Sequence, residues 1–390
     1  MDDWREVMLS EVAEEVTVGH VGTMSDQYRD GGIPFLRSQN VRPHRIDLAD
    51  IKFVDSNFHA MLKKSALAPG DVVTVRTGKP GTSAVVPESI PVANCSDLVI
   101  TRPGLDLDAR WLSYYLNFVV HSHIGGYLVG AVQQHFNVKS AKQLKLLLPK
   151  VGEQRAIAAA LGALDDKIAA NERVIEAAHE LMLSIVRSVD RWEQLSDLAQ
   201  HSTASVRPED FDGVVAHFSL PAFDDGGMPE ISCGDAIKSN KFLLPGPCVL
   251  FSKLNPRIPR IWNVTSLPSE TALASTEFVV LSPLGVDPSV LWAALSQPEI
   301  SDELRQMVAG TSGSHQRIRP HDLLGVQVRD VRALGSKSAD AISWLGQVCD
   351  ERRQESRALA RTRNELLPLL MSGKVRVKDA EAVALSANLG

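Results

Sequence analysis

A narrow stripe of apolar residues with heptad spacing lies in the middle of the chain and limits the folds that this sequence can adopt. Between residues 153 and 189 there is no proline and one glycine, Gly162, and apolar side chains recur at alternating steps of four and three residues. About 36 residues at 1.5 Å each would form a helix of roughly 54 Å, longer than an average globular helix. A stripe this narrow is typical of a helix that pairs with another along its length. Its members are Ile157, Leu161, Leu164, Ile168, Asn171, Ile175, Ala178, Met182, Ile185 and Val189.

A second segment near the C-terminal end repeats the spacing and is the expected partner. Its stripe is interrupted by polar residues: Ile342, Leu345, Cys349, Arg352, Ser356, Leu359, Arg363, Leu366 and Leu370. If the helices pair antiparallel with Ile157 opposite Leu370, Asn171 faces Ser356, and such a polar pair would fix the register. The alternative is that each helix packs only against the globular domain next to it.

The two helices alternate with two segments that share one plan, which indicates an internal repeat. The stretches 4–12, 67–73 and 98–103 are echoed, in the same order, by 192–198, 243–250 and 278–283. We therefore predict a mixed α/β (α+β) fold with two similar globular domains, joined by two long helices in an antiparallel coiled coil with pseudo-twofold symmetry. The predicted boundaries are 1–149 and 192–336 for the domains, 150–191 and 337–373 for the helices, and 374–390 for a tail.

Composition excludes several classes of protein. The net charge of −6 is not that of a protein coated in basic surface, and the second domain is acidic, with 11 basic against 17 acidic side chains. There is no apolar run long enough for a transmembrane helix and no signal peptide, so we expect no membrane association. The four cysteines form no CxxC pair, so we interpret them as buried thiols of a cytoplasmic protein.

The sequence lacks the motifs of the common enzyme classes. The Gly78-Lys79 pair has neither the preceding glycine nor the following hydroxyl residue of a phosphate-binding loop. Asn255-Pro256 lacks the second proline and the aromatic residue of an amino-methyltransferase motif, and no GxSxG or HExxH motif is present. His121 and His123 face different sides of a helix and are interpreted as surface residues. We therefore predict a binding protein without a catalytic site, a metal or a cofactor of its own.

Several stretches resemble the specificity subunit of type I restriction–modification systems. They are the run from Gly32 to Val41 (GIPFLRSQNV), the turn and strand 69–73 (PGDVV), and the junction 148–157 (LPxxxEQxxI) with the following LxxLDDKI at 161–168. The resemblance covers roughly 1–373 and is stronger in the first half. The second half lacks the Glu-Gln junction before its helix and the Gly-Ile-Pro-Phe strand, so its role as a second recognition domain depends on the repeat.

The resemblance implies a mechanism. Each globular domain would read one half of a two-part target in double-stranded DNA, and the helices would space the domains. The helices would also dock two modification (methyltransferase) subunits, which carry S-adenosylmethionine and flip out the target adenine. Motor–nuclease restriction subunits are implied as further partners in a complete system. The chain itself would catalyse nothing.

Candidate DNA contacts are polar and basic side chains on predicted loops, because Arg and Lys suit guanine edges and phosphates and Asn and Gln suit adenine. In the first domain they are Arg37, Gln39, Asn40, Arg42, Thr77, Lys79, Gln133, Gln134 and Lys139. In the second they are Lys253, Asn255, Arg257, Arg260, His315, Gln316, Arg317 and Arg319. The alternative is that each is a solvated loop residue. The clusters 133–139 and 253–260 are favoured, the second more, since its three basic residues lie in an acidic domain.

Two other features and the function as a whole have competing interpretations. Glu153-Gln154 is either a contact to the modification subunit or an acidic first turn of a helix. The arginines between 352 and 363 face either DNA phosphates or solvent.

The leading function is a DNA-specificity subunit. A protein–protein scaffold with two binding heads on a helical spacer, supported by the acidic second domain, is the alternative, and an enzyme with an unrecognised site is the third.

Overall fold

The computed structural model describes residues 4–121, 136–211, 213–255, 259–307 and 317–377. The chain divides into two compact units, each built from separate stretches of sequence. Unit 1 comprises the described residues of 1–165 and 360–390, and unit 2 comprises those of 166–359.

Most strands of the fold form small sheets of four or five strands. The elements that begin in unit 1 are β1 (Arg5–Met8), α1 (Leu9–Val12), β2 (Ala13–Val18), β3 (Ile33–Leu36), β4 (Val41–Arg42), β5 (Arg45–Ile46), β6 (Lys52–Val54), α2 (Ser56–Met61), β7 (Ala66–Leu67), β8 (Val72–Val75), β9 (Ser83–Val85), β10 (Ala93–Cys95), β11 (Leu98–Pro103), α3 (Ala109–His121), α4 (Val138–Lys142), β12 (Lys145–Leu148) and α5 (Val151–Arg187). Those that begin in unit 2 are β13 (Trp192–Gln194), α6 (Leu195–Leu198), β14 (Ala199–Ser202), β15 (Ser205–Val206), β16 (Val214–Phe218), α7 (Leu220–Asp224), β17 (Glu230–Cys233), β18 (Lys241–Leu243), β19 (Cys248–Ser252), β20 (Ile261–Val264), β21 (Thr271–Ser275), β22 (Phe278–Pro283), α8 (Pro288–Leu295), α9 (Pro298–Met307), α10 (Pro320–Leu324), β23 (Gln327–Arg329) and α11 (Ser336–Met371).

The two units have the same strand topology, so the predicted repeat is confirmed. The sheet order β2-β11-β8-β9 corresponds to β14-β22-β19-β20, and both sheets are antiparallel throughout. The order β6-β3-β10-β7 corresponds to β17-β16-β21-β18, and each contains one parallel pair, β3 with β10 and β16 with β21. Unit 2 departs from the plan by adding β15 beside β18.

The central strands of each unit are buried because their sequences are almost entirely apolar. All four residues of β8 are buried, and so are all five of β19. A continuous β-branched or apolar run of this kind suits a strand covered on both faces. These strands therefore form a rigid base, and the loops that follow them start from fixed positions.

The two long helices contact each other inside both units. In unit 1, Ile157 and Leu161 share one apolar core with Leu370. In unit 2 the Asn171 amide donates to Ser356 Oγ at 3.2 Å, while Met182, further along α5, shares a core with Ile342, earlier in α11. The order of contacts is reversed, so the helical segments of unit 2 run antiparallel. The predicted Asn171–Ser356 pair is confirmed, and packing of each helix only on its own domain is wrong.

The junction between the first domain and α5 is an internal structural link. Gln154 is fully buried, and its Oε1 accepts from the Asp108 amide at 2.7 Å. Its Nε2 donates to the carbonyls of Asp106 at 2.8 Å and Pro149 at 2.9 Å. Glu153 accepts from the Trp4 indole at 3.1 Å. Both side chains are therefore committed inside unit 1, which argues against a partner contact through them.

Three of the arginines of α11 form ion pairs within their units. Arg352 pairs with Glu355 at 2.7 Å, Arg353 pairs with Asp350 at 3.0 Å, and Arg363 pairs with Asp165. These three side chains follow neither interpretation, since ion pairs of the protein itself occupy them.

Of the cysteines, Cys233 is exposed, contrary to the expectation of buried thiols, and the other three are buried. No described helix combines the length and apolar composition that crossing a membrane requires.

Candidate nucleic-acid interface

In unit 1 a basic and an acidic residue face each other just beyond the paired ends of β8 and β11. Leu98 lies opposite Val75 in the register, so the next residues outward, Arg76 and Asp97, are brought together. Arg76 Nη1 donates to Asp97 Oδ1 at 2.7 Å, and Thr77 Oγ1 donates to the other carboxylate oxygen at 2.9 Å. The predicted contact Thr77 thus belongs to a small charged cluster at the end of the sheet.

Two further segments lie beside this cluster. The Phe136 amide donates to the Arg76 carbonyl at 3.1 Å, which places the start of α4, with Lys139, next to the strand end. The β4–β5 hairpin is attached to β9 because the His44 amide donates to the Ser83 carbonyl at 2.9 Å. The loop after β8, the β4–β5 hairpin and the segment before α4 therefore gather at one end of the sheet.

Acidic neighbours occupy most of the predicted contacts around β3 to β5. Asp50 accepts from Arg37 at 3.1 Å, Gln39 at 2.8 Å and Lys52 at 3.0 Å. Hydrogen bonds from Lys52, Arg37 and Gln39 lower the pKa of Asp50 to about 2, so the carboxylate is ionised at neutral pH. Arg42 is exposed but pairs with Asp47 at 3.3 Å.

Asn40 is a clear correction to the predicted list. Its side chain is fully buried. Its Oδ1 accepts from the Arg37 amide at 3.1 Å, and its Nδ2 donates to the Asp47 carbonyl at 3.0 Å. The side chain therefore fixes the turn before β4 and does not face DNA.

Among the predicted contacts of unit 1, the cations that remain available are the exposed lysines. Lys79 and Lys139 are exposed, and neither ammonium group has a partner among the residues that the structure describes. Gln133 and Gln134 lie outside the described residues. Of the cluster 133–139, the structure therefore places only its last residues at this surface.

Unit 2 repeats the arrangement at the equivalent strand ends. Ser252 lies opposite Phe278, so Lys253 takes the place of Arg76 and Glu277 the place of Asp97. The Lys253 amide donates to the Glu277 carbonyl at 2.8 Å. The Ile318 amide donates to the Lys253 carbonyl at 2.9 Å, as the Phe136 amide does to the Arg76 carbonyl in unit 1. The two ends thus share one equivalent backbone contact, made by the segment before α4 in unit 1 and by the segment before α10 in unit 2.

The predicted cluster 253–260 is less open than its composition suggests. Lys253 Nζ donates to the Thr276 carbonyl at 2.8 Å and lies 5.3 Å from the centre of the Phe242 ring, and burial lowers the pKa of Lys253. Arg260 forms two hydrogen bonds with Asp224, at 2.7 and 3.0 Å. Both cations are therefore held by partners within unit 2, and their contact with DNA stays a prediction.

The remaining candidates of unit 2 differ in their availability. Arg317 pairs with Glu277 at 3.2 Å. Asn255 is exposed in a left-handed conformation, with φ of 50°, and Arg319 is exposed without a partner among the described residues. Arg257, His315 and Gln316 lie outside the described residues. Asn255 and Arg319 are thus the exposed candidates of this end that nothing described holds in place.

Sequence reasoning missed the acidic partners of this surface. Asp97 and Glu277 were not among the predicted residues, because a carboxylate does not suit DNA phosphate directly, and Arg76 was also absent. The signal was present, since Arg76 follows a predicted strand and Asp97 and Glu277 each precede one. Antiparallel pairing of those strands places these residues opposite each other.

The arrangement is suited to binding polyanions and shows no catalytic constellation among the described residues. Exposed Lys79, Lys139 and Arg319 can contact phosphates, and the amide of Asn255 can contact a base edge. Throughout the described ranges, no group of histidines, cysteines and carboxylates is arranged to hold a metal ion.

Comparison with known proteins points in one direction. Residues 1–179 match the family model described as the type I restriction modification DNA specificity domain. No curated protein matches the chain. The crystal structure of a type I restriction-modification S subunit from M. genitalium aligns with 94% of this chain and 96% of that chain, at 13% identity and a TM-score of 0.58.

Two other solved structures align over similar lengths. The HsdS subunit from Thermoanaerobacter tengcongensis covers 97% of this chain and 98% of its own, at 18% identity and a TM-score of 0.35. A structure concerned with assembly and conformational transition of a type I R-M system covers 95% and 96%, at 17% identity and a TM-score of 0.35. The M. genitalium likeness supports a shared fold, whereas a TM-score of 0.35 is too low to support an argument.

Proposed function

We propose that this chain is a non-catalytic DNA sequence-recognition subunit, because its residues 1–179 match the family model of the type I restriction modification DNA specificity domain, and that each of its units reads one half of a bipartite target. The observation that carries this proposal is the repeated loop cluster at the ends of β8 and β19. Equivalent strand ends hold equivalent loops in two units of the same topology. A protein that reads two half-sites needs two such surfaces.

The long helices are proposed to set the distance between the half-sites. In this proposal α5 and α11 form an antiparallel coiled coil, with the Asn171–Ser356 pair fixing its register. A fixed register supports a ruler because a slip of one heptad would change the distance between the two readers by about 10 Å.

The partners follow from the same proposal. Double-stranded DNA and two methyltransferase subunits would bind this chain, the methyltransferases docking on the helices and supplying S-adenosylmethionine. Motor–nuclease subunits would join in a complete restriction system. The chain would work in the cytoplasm and would itself need no cofactor.

An exchange of recognition domains tests the proposal. Residues 192–336 would be replaced by the matching region of a related subunit, and methylation sequencing would be carried out on a host that carries the complete system. We expect one half of the methylated sequence to change and the other to stay. A change in both halves, or in neither, would contradict two independent readers.

The same experiment addresses the scaffold interpretation. A scaffold would leave the methylated sequence unaffected by the exchange, because its domains would grip proteins rather than bases. DNA binding by the assembled complex that falls steeply with salt would separate a DNA reader from a scaffold.

A further inference from the structure

The two candidate interfaces share an acidic residue that the comparisons and the proposed function leave without a role. Asp97 immediately precedes β11, and Glu277 immediately precedes β22. Each faces the residue that follows the neighbouring central strand, Arg76 in unit 1 and Lys253 in unit 2. The same place in the fold thus holds a carboxylate next to a cation in both units.

Each carboxylate neutralises a cation that otherwise suits DNA phosphate. Asp97 binds Arg76 at 2.7 Å, with the Asp97 side chain 43% exposed. Glu277 binds Arg317 at 3.2 Å, with the Arg317 side chain 59% exposed. Arg76 is 22% exposed and Glu277 is 30% exposed, so an approaching DNA backbone would first meet the carboxylate in unit 1 and the guanidinium in unit 2.

Glu277 is incompletely satisfied in this arrangement. Its second carboxylate oxygen, Oε2, is enclosed and has no hydrogen-bond partner among the described residues. An enclosed acceptor without a donor costs stability. An ion pair that solvent reaches on one side contributes little stability in return. Stability of the fold alone gives little reason for a glutamate in this position.

We propose that Asp97 and Glu277 act as electrostatic brakes, which keep Arg76 and Arg317 off the phosphates of DNA that lacks the target sequence. On non-target DNA each arginine stays with its carboxylate, and the carboxylate repels the backbone. On the target, base contacts bring the DNA closer and the arginine transfers to phosphate. The brakes therefore lower sequence-independent affinity more than target affinity. This inference rests on the proposed function and assigns the two residues a part in specificity.

Binding measurements with the assembled methyltransferase complex test the brakes. The variants are Asp97→Asn, Glu277→Gln and the double variant, which keep the size of each side chain and remove its charge. The probes are two duplexes of equal length, one with the target found by methylation sequencing and one without it. Affinity for both is measured from 50 to 200 mM salt.

We expect each variant to bind the non-target duplex at least about twofold more tightly at 100 mM salt, since the freed arginine gains a phosphate. For that duplex, the slope of log affinity against log salt should steepen by about 0.9 for each freed arginine. Between 200 and 50 mM salt, the affinity of the variant should therefore rise about threefold more than that of the wild type. The slope for the target duplex should stay the same, so discrimination between the duplexes falls.

Matched controls remove a carboxylate from ion pairs elsewhere. Asp106→Asn frees Arg5, which it binds at 3.1 Å, and Asp302→Asn frees Arg305, which it binds at 3.0 Å. Each changes the net charge by the same amount as one single test variant. If the controls steepen the non-target slope equally, the effect belongs to net charge and the brake is refuted.

The other outcomes are equally decisive. Weaker binding of the target duplex with an unchanged non-target slope would show that the carboxylates position the arginines, which overturns the brake. A wild-type complex that does not distinguish the two duplexes would instead refute the proposed function, and the inference with it. The two failures are thus separated by the behaviour of the wild-type complex.

Discussion

The buried amide of Gln154 offers the sharpest test of how the first domain is fixed to α5. In Gln154→Glu the side chain keeps its size, so no cavity forms, but the group that donates to the carbonyls of Asp106 and Pro149 becomes an acceptor. An ionised carboxylate would face two carbonyl oxygens inside a fully buried site. The folded protein must therefore keep this glutamate protonated, and the single proton satisfies one of the two carbonyls.

The size of the destabilisation follows from the cost of keeping this glutamate protonated. An exposed glutamate has a pKa of about 4.3, so holding the proton at pH 7 costs about 3.7 kcal/mol, and the lost hydrogen bond adds about 1 kcal/mol. The folded-state pKa would lie above the unfolded one. The variant is thus least destabilised, by about 1 kcal/mol, below pH 4, and the loss grows as pH rises toward 7.

Urea unfolding of variant and wild type between pH 4 and 7 measures this difference, and hydrogen exchange at the Asp108 amide reports the site itself. Gln347→Glu is the matched control, because Gln347 is exposed on α11, and a change below about 0.5 kcal/mol is expected there. A Gln154→Glu variant that behaves like this control, or whose loss does not depend on pH, would refute the hydrogen-bonded link.

Three further predictions concern unit 2 and the helices. Gly346→Ala places a Cβ 2.8 Å from Ser289 Cβ and should lower the free energy of unfolding in urea by about 1–3 kcal/mol. The control Gly152→Ala meets open space and should leave that free energy unchanged or raise it by up to about 1 kcal/mol. Equal effects of the two substitutions would contradict the close packing at Gly346. Burial, with the nearby Arg353 charge, lowers the pKa of His179 to about 4. As pH falls, the unfolded chain therefore binds a proton at His179 before the folded protein does. The free energy of unfolding should fall by up to about 3 kcal/mol as pH drops from about 6.5 to about 4. His179→Gln should lose that part of the pH dependence, and an unaltered pH profile would count against it. Deleting seven residues from both α5 and α11 should shorten the spacer between methylated half-sites and leave their sequences unchanged; altered half-site sequences in methylation sequencing would argue against the ruler.

The long helices and the repeat could be predicted because their signals are local and periodic. A heptad stripe depends on residues three and four apart, and pairing two stripes at one point fixes every later pair. This is why the spacing alone assigns Asn171 to Ser356, the pair that the folded helices form. The repeated strand order could likewise be read from apolar runs and turns that recur in the same sequence order.

The interface could be predicted only in its general location. The loops after β8 and β19 were predicted to carry polar contacts, and the structure gathers them with the segments before α4 and α10. Which side chains remain available could not be predicted, because several of the ion pairs join segments that are far apart in sequence. Arg260 with Asp224 and Arg317 with Glu277 are examples.

The sequence by itself therefore determined the two long helices, their register and the duplicated plan, since neighbouring residues encode them through regular spacing. Only the tertiary structure decided that Asn40 is buried and that Asp97 and Glu277 face cations at the strand ends. The physical reason is that charge pairing and burial depend on distances between residues remote in sequence, and strand pairing sets those distances.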